Sequence, residues 1–172
     1  MSAVWIRAGA AAVLSASLLS ASLLPGCMPS SHQQAKRLEG RYTVPAPGDG
    51  WLVVDAGGAD HAWYNTGLKA AIYADSNCGP RYSESRTEDL ATELTAGLRQ
   101  VTTTRDELRE FGGREGVLRV HSGRLDGVPV TLALGVMNRG ACTYDLTFIA
   151  PPDTFEQGWD AYERILSGFT PL

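Results

Sequence analysis

Between two β-rich runs sits Leu125-Asp126-Gly127-Val128, and its central dipeptide constrains the fold more than any other feature. A two-residue hairpin turn demands positive φ at both central residues, and Asp-Gly tolerates that at little cost. The flanking runs are Val117–Ser122 before the turn and Val128–Asn138 after it. Similar punctuation continues on both sides. Gly112-Gly113 closes a weaker strand-like piece at Arg105–Phe111, while Arg139-Gly140 precedes a strand at Thr143–Ala150 that Pro151-Pro152 stops. Successive strands joined by such short turns must pair antiparallel. The earlier part of the chain repeats the pattern. Short extended segments are expected at Arg41–Val44, Trp51–Val54, Ala62–Asn65 and Ala70–Ala74, with turns at Pro45–Gly50, Gly57–Asp60 and Asn77–Pro80.

The period changes twice from two to 3.6. Leu90, Leu94, Leu98 and Val101 share one stripe, with Ala91 beside it, and predict a helix over 86–100. Ser85 with Glu88 has capping-box spacing at its start, as Asp153 with Glu156 has before a second helix. In that second helix Phe155, Trp159, Tyr162, Leu166 and Phe169 form a single aromatic and aliphatic face. Such a face is what a helix lays on a sheet. The fold class expected is α+β: a central antiparallel sheet flanked by two main amphipathic helices.

The 172 residues do not all belong to that domain. Arg7 and the amino terminus supply positive charge, and Ala8–Leu24 then runs uncharged for about 17 residues, as in a signal-peptide core. It closes on Leu24-Pro25-Gly26-Cys27, which resembles the lipobox of bacterial lipoproteins: an apolar residue, two small residues, then cysteine. The resemblance implies cleavage before Cys27 and a diacylglyceryl group on its sulfur, with two or more acyl chains needed for a stable hold on a membrane. The expected organisation is therefore a signal peptide at 1–26, a lipidated polar tether at 27–39 and one domain at 40–172. His32 falls in the tether and is read as solvated linker. Met28, rather than an aspartate, after the cysteine points to the periplasmic side of the outer membrane.

With Cys27 committed to lipid, Cys78 and Cys142 remain. An exported compartment is oxidising, and an even remainder invites a structural disulfide. A redox or nucleophilic pair is the other reading, although nothing resembles Cys-x-x-Cys.

From residue 40 onward the chain carries 12 basic and 18 acidic residues, with Lys69 its one lysine. That balance lacks the basic footprint of a nucleic-acid binder and argues against docking on anionic lipid head groups through the folded surface.

Tyr42-Thr43-Val44-Pro45, Gly50-Trp51, the central hairpin and a closing helix Phe155–Leu166 with Ser167-Gly168-Phe169 together resemble the PsbP-like superfamily, as a layout over nearly all of 40–172. The resemblance implies an antiparallel sheet with helices on both sides, a PsbP-like α/β/α sandwich. Its members are mostly accessory or interaction proteins, and no family binding residue carries over to this chain. Fold does not transfer function.

The search for chemistry yields little. His61 and His121 are isolated, and no spacing gathers metal ligands around them or pairs either with a nucleophile. Gly112–Gly116 lacks the lysine, the trailing hydroxyl residue and the helix of a phosphate loop. Of the carboxylates Glu84, Glu88, Asp89 and Glu93, the last three read as a solvated helix face. Trp51, Trp63 and Tyr64 either complete the core or form a recognition patch, with core the favoured reading. No catalytic, cofactor-binding or metal-ligating residue is assigned. Two functions are expected to compete. The first is a non-enzymatic envelope lipoprotein, held to the membrane through Cys27 and binding an envelope protein or small ligand. The second is a hydrolase-like envelope enzyme with a dispersed site using His61 or His121.

Overall fold

The structure is a computed structural model that describes residues 42–83 and 85–172. The signal segment, Cys27, His32, the tether and Glu84 lie outside those residues. Nine strands and three helices follow in the order β1 (Tyr42–Thr43), β2 (Leu52–Val53), β3 (His61–Asn65), β4 (Ala70–Cys78), α1 (Pro80–Ser83), α2 (Thr87–Leu94), β5 (Arg99–Phe111), β6 (Arg114–Leu125), β7 (Val128–Arg139), β8 (Cys142–Ala150), α3 (Phe155–Gly168) and β9 (Thr170–Pro171). Seven strands form one antiparallel sheet in the order β2-β3-β4-β8-β7-β6-β5, and β1 pairs separately with β9.

The Asp-Gly signal holds. Leu125 pairs with Val128, and the two residues between them, Asp126 and Gly127, have φ of 50° and 83°. Gly112 and Gly113, at 62° and 72°, turn the chain between the paired Phe111 and Arg114. The third turn falls one residue later than expected, because Arg139 still pairs with Cys142 and the turn is Gly140-Ala141. The result is a four-stranded meander from β5 to β8.

Alternation along the strands builds two cores. Leu118, Ala133, Leu146 and Phe148 face one way, against Phe155, Tyr162, Ile165 and Leu166 of α3. Their neighbours Val117, Leu134 and Val136 face the other way, against Leu90 and Ala91 of α2. The α3 side carries more of the stability: Tyr162, Ile165 and Leu166 are fully buried, and each such side chain contributes roughly 1.5–3 kcal/mol through apolar burial. The Tyr162 hydroxyl, buried with them, donates to the Leu146 carbonyl at 2.7 Å. Burial first, and the Glu163 and Asp145 carboxylates after it, drive its phenol well above the usual tyrosine range.

Three expectations need correction. The helix predicted over 86–100 stops at Leu94, because β5 begins at Arg99 and its long ladder with β6 outcompetes two more helical turns. Leu94 and Val101 are consequently 46% exposed instead of facing the core. Ser85 does not cap α2; its hydroxyl donates to the Arg81 carbonyl at 2.6 Å, and Arg86 occupies the cap position with no capping hydrogen bond from its side chain. Asp153 does not cap α3 either, since Thr154 holds that position and turns its hydroxyl to the Leu68 carbonyl at 2.7 Å. The architecture is thus sheet-dominated, with the shorter helix covering one end of its face.

Candidate functional site

Because α2 is short, the sheet face beneath it is only partly covered, and a cleft opens where β4 and β8 run out from under it. Register builds its floor from Asn77, opposite Thr143, and from Asp145, whose partner on β4 is Asp75, on the face that carries Val136. Tyr82 of α1 and Leu90, Glu93 and Leu94 of α2 form its wall, enclosing a space of about 280 Å³. Arg81 stands at the same rim with its guanidinium carbon 4.4 Å from the centre of the Tyr82 ring, and it also donates to the Tyr82 hydroxyl. The floor is fixed from below: the Thr143 hydroxyl donates to Asn138 at 2.7 Å, and the Asn138 amide donates to the Ser85 carbonyl at 3.0 Å. That chain of bonds ties β7 and β8 to the segment leading into α2.

Asp145 dominates the electrostatics. Burial first, then the Asp75 and Asp60 carboxylates, push its carboxyl up to about 7. Two carboxylates directly opposite on adjacent strands repel, and a shared low-dielectric setting raises the cost of ionising both. Asp75 is engaged by the Asn77 amide at 3.4 Å. Asp60 takes bonds from both the amide and the hydroxyl of Ser76, at 3.1 and 2.9 Å. Above it Tyr42 is packed among His61, Tyr144 and Phe169. Burial, followed by the Asp60 charge, drives the Tyr42 phenol far above the usual tyrosine range. An apolar wall with one deep carboxyl and two amide- or hydroxyl-bearing side chains is a ligand cleft of mixed character.

The two histidines do not meet. His61 is exposed on β3, stacked on Trp63 at 5.8 Å and edge-on to Tyr42 at 5.5 Å. A carboxylate and a hydroxyl lie near it in Asp60 and Ser76, but they bond to each other, so the imidazole is not placed between them to activate the hydroxyl. His121 is 7% exposed on β6, its Nδ1 3.0 Å from the Thr103 hydroxyl. Burial and then Arg119 lower its pKa, against a smaller opposing pull from Asp106. Arg119 itself bonds Asp106 at 3.0 Å and the Glu88 carbonyl at 3.0 Å, which makes this row a brace between the sheet and α2. Among the described residues, no three His, Cys, Asp or Glu side chains converge as a metal site.

Of the aromatic residues left open by sequence, Trp63 is core and Trp51 packs edge-on against Phe148 at 6.3 Å. Tyr64 is half-buried on the other face. Cys78 and Cys142 are bonded, with their Cα atoms 4.0 Å apart in directly paired positions. Sequence reasoning missed Asp75 and Asp145, which are 70 positions apart and adjacent only through the β4–β8 pairing. The available signal was weak: each is the one charged residue of its strand.

No family model matches the sequence, and no curated protein does so either. Solved structures do share the fold. A Mycobacterium tuberculosis protein, LpqN, involved in cell envelope biogenesis, superposes with a TM-score of 0.57 at 17% identity, covering 76% of this chain and 84% of its own. A Bacteroides thetaiotaomicron structure superposes at 0.52 and 11% identity over 78% of this chain, which spans about half of that protein (49%). The cyanobacterial PsbP protein of Synechocystis gives 0.49 at 12% identity over 78% of this chain and 94% of its own, too loose a likeness to carry anything further.

Proposed function

We propose that the chain is a cell envelope protein, held to a membrane by lipid on Cys27, whose domain acts as a non-enzymatic accessory or binding module. The observation that carries the binding role is the cleft beside Asp145. It is walled by Tyr82, Leu90 and Leu94 and floored by Asn77 and Thr143, so it offers an apolar surface and oriented polar groups to one ligand. The anchor rests on the uncharged leader and on Leu24-Pro25-Gly26-Cys27. The envelope location agrees with the mycobacterial protein of the same fold, whose own role is in cell envelope biogenesis.

Two measurements test the two halves separately. Cells expressing the full chain with radiolabelled fatty acid should incorporate label into the wild type and not into Cys27→Ala; equal labelling would refute the anchor. Leu94 is half exposed at the cleft mouth, so Leu94→Trp should block the cleft without unfolding the domain. Extracted envelope fractions should raise the melting temperature of the wild type and leave Leu94→Trp unmoved. A ligand that stabilises both equally binds elsewhere and refutes the cleft.

A further inference from the structure

The geometry points to the β2–β3 hairpin as the foot on which the protein rests against the bilayer, a surface that takes neutral or zwitterionic lipid. The inference rests on the proposed anchor at Cys27. Three consecutive residues at this edge of the sheet are apolar and open to solvent: Leu52 is 60% exposed, Val53 82% and Val54 38%. Leu52 pairs with Tyr64 and Val53 with Trp63, so their side chains leave opposite faces of the sheet. A partner packed on one face could cover only half of them, whereas a surface that receives the hairpin edge-on covers both.

The tip adds Ala56-Gly57-Gly58-Ala59, small and uncharged, with the Val54 amide bonded back to the Ala62 carbonyl at 3.0 Å. The preceding chain reaches the fold at this end, because the Tyr42 ring lies 5.5 Å from that of His61, the first residue of β3. Fourteen residues separate Cys27 from Tyr42, a contour of at most about 50 Å. A tether of that length lets the hairpin of a lipidated protein reach the membrane surface. Charge selects the lipid. From Tyr42 to Leu68 the chain carries Asp49, Asp55 and Asp60 and no lysine or arginine, so anionic head groups repel this edge while zwitterionic ones accept it.

Amide hydrogen exchange of the full lipidated protein in phosphatidylcholine proteoliposomes tests this. Amides within 52–62 should exchange about tenfold more slowly than in soluble Cys27→Ala protein, equivalent to roughly 1.4 kcal/mol of protection. That slowing should shrink when phosphatidylglycerol replaces part of the lipid, and vanish in Leu52→Asp/Val53→Asp, which stays anchored. If the wild type stays on the vesicles but its 52–62 amides exchange as in Cys27→Ala, the foot is refuted and the anchor stands. If the wild type leaves the vesicles as Cys27→Ala does, the anchor fails and the inference with it. Slowing that appears in lipid-free Cys27→Ala and grows with protein concentration would name a second copy as the occupant and also overturn it.

Discussion

A single carboxyl, that of Asp145, sets the most specific expectation at the scale of residues. Its pKa is raised to about 7 by burial first and by Asp75 and Asp60 next, against an unfolded value near 4. The folded state therefore holds a proton that the unfolded state has released across that window. Stability from this group is fully present below about pH 4 and is lost as pH rises through about 7. Asp145→Asn removes the titration while keeping the shape. In urea unfolding followed by fluorescence, the variant should gain midpoint over the wild type at pH 8 and lose that advantage by pH 4. A difference independent of pH would show that Asp145 is not the titrating group. None of this was readable from the sequence, where Asp145 is one charge in the alternating run Tyr144-Asp145-Leu146 and reads as facing water. The histidines show the converse. They are isolated in sequence and stand on separate strands, and only the β5–β6 register reveals that His121 is bonded to Thr103.

Elements were legible where local chemistry alone decides them. Asp126-Gly127 and the paired glycines at 112–113 require positive φ whatever surrounds them, so the meander could be read from its turns. The α3 stripe was equally clear, since Phe155, Tyr162, Leu166 and Phe169 are all buried against the sheet. The α2 boundary was not, because the stripe beyond Leu94 obeys helical spacing while Arg99–Phe111 is claimed by pairing with β6. Helix propensity is a weak prior that tertiary pairing overrides. The packing of α3 supplies a prediction about close approach. A Cβ on Gly158 would lie 2.6 Å from Cζ and 3.0 Å from Cε2 of Phe148, a ring stacked between Phe155 and Tyr162. In an open helix Gly→Ala gains about 1 kcal/mol. Here the ring has no free side to move toward, so Gly158→Ala should lower stability by roughly 1–3 kcal/mol, as overpacking does. Leu90→Ala and Leu94→Ala form a paired check on α2. Leu90 is 7% exposed and Leu94 46%, so thermal melts should show a loss of about 2–3 kcal/mol for the first and well under 1 for the second.

At the scale of the whole molecule the sheet is two meanders, β2–β4 and β5–β8, joined along one seam where β4 pairs with β8. Every contact within a meander is short in sequence, whereas the seam brings together residues about 70 positions apart. Loop-closure entropy therefore opposes the seam more than any hairpin. The seam also holds the Asp75–Asp145 pair, whose closeness raises the cost of ionising both carboxyls. Cys78 and Cys142 close it from one end, as directly paired residues 64 apart in sequence. Closing a loop of that size restricts the unfolded chain by about 4 kcal/mol in the chain-entropy model, comparable to the whole stability of a marginal domain. The oxidised protein should show no thiol in the folded 42–172 domain by alkylation without reductant, and quantitative modification of Cys78 would refute the bridge. Cys78→Ser/Cys142→Ser should remain foldable, because both meanders keep their own turns and helices, but lose up to about 4 kcal/mol in denaturant unfolding. Its amide exchange should accelerate along β4 and β8 before it does in the β6–β7 hairpin. Uniform acceleration across all strands would mean that the bridge acts only through the unfolded chain and that the seam is no weaker than the hairpins.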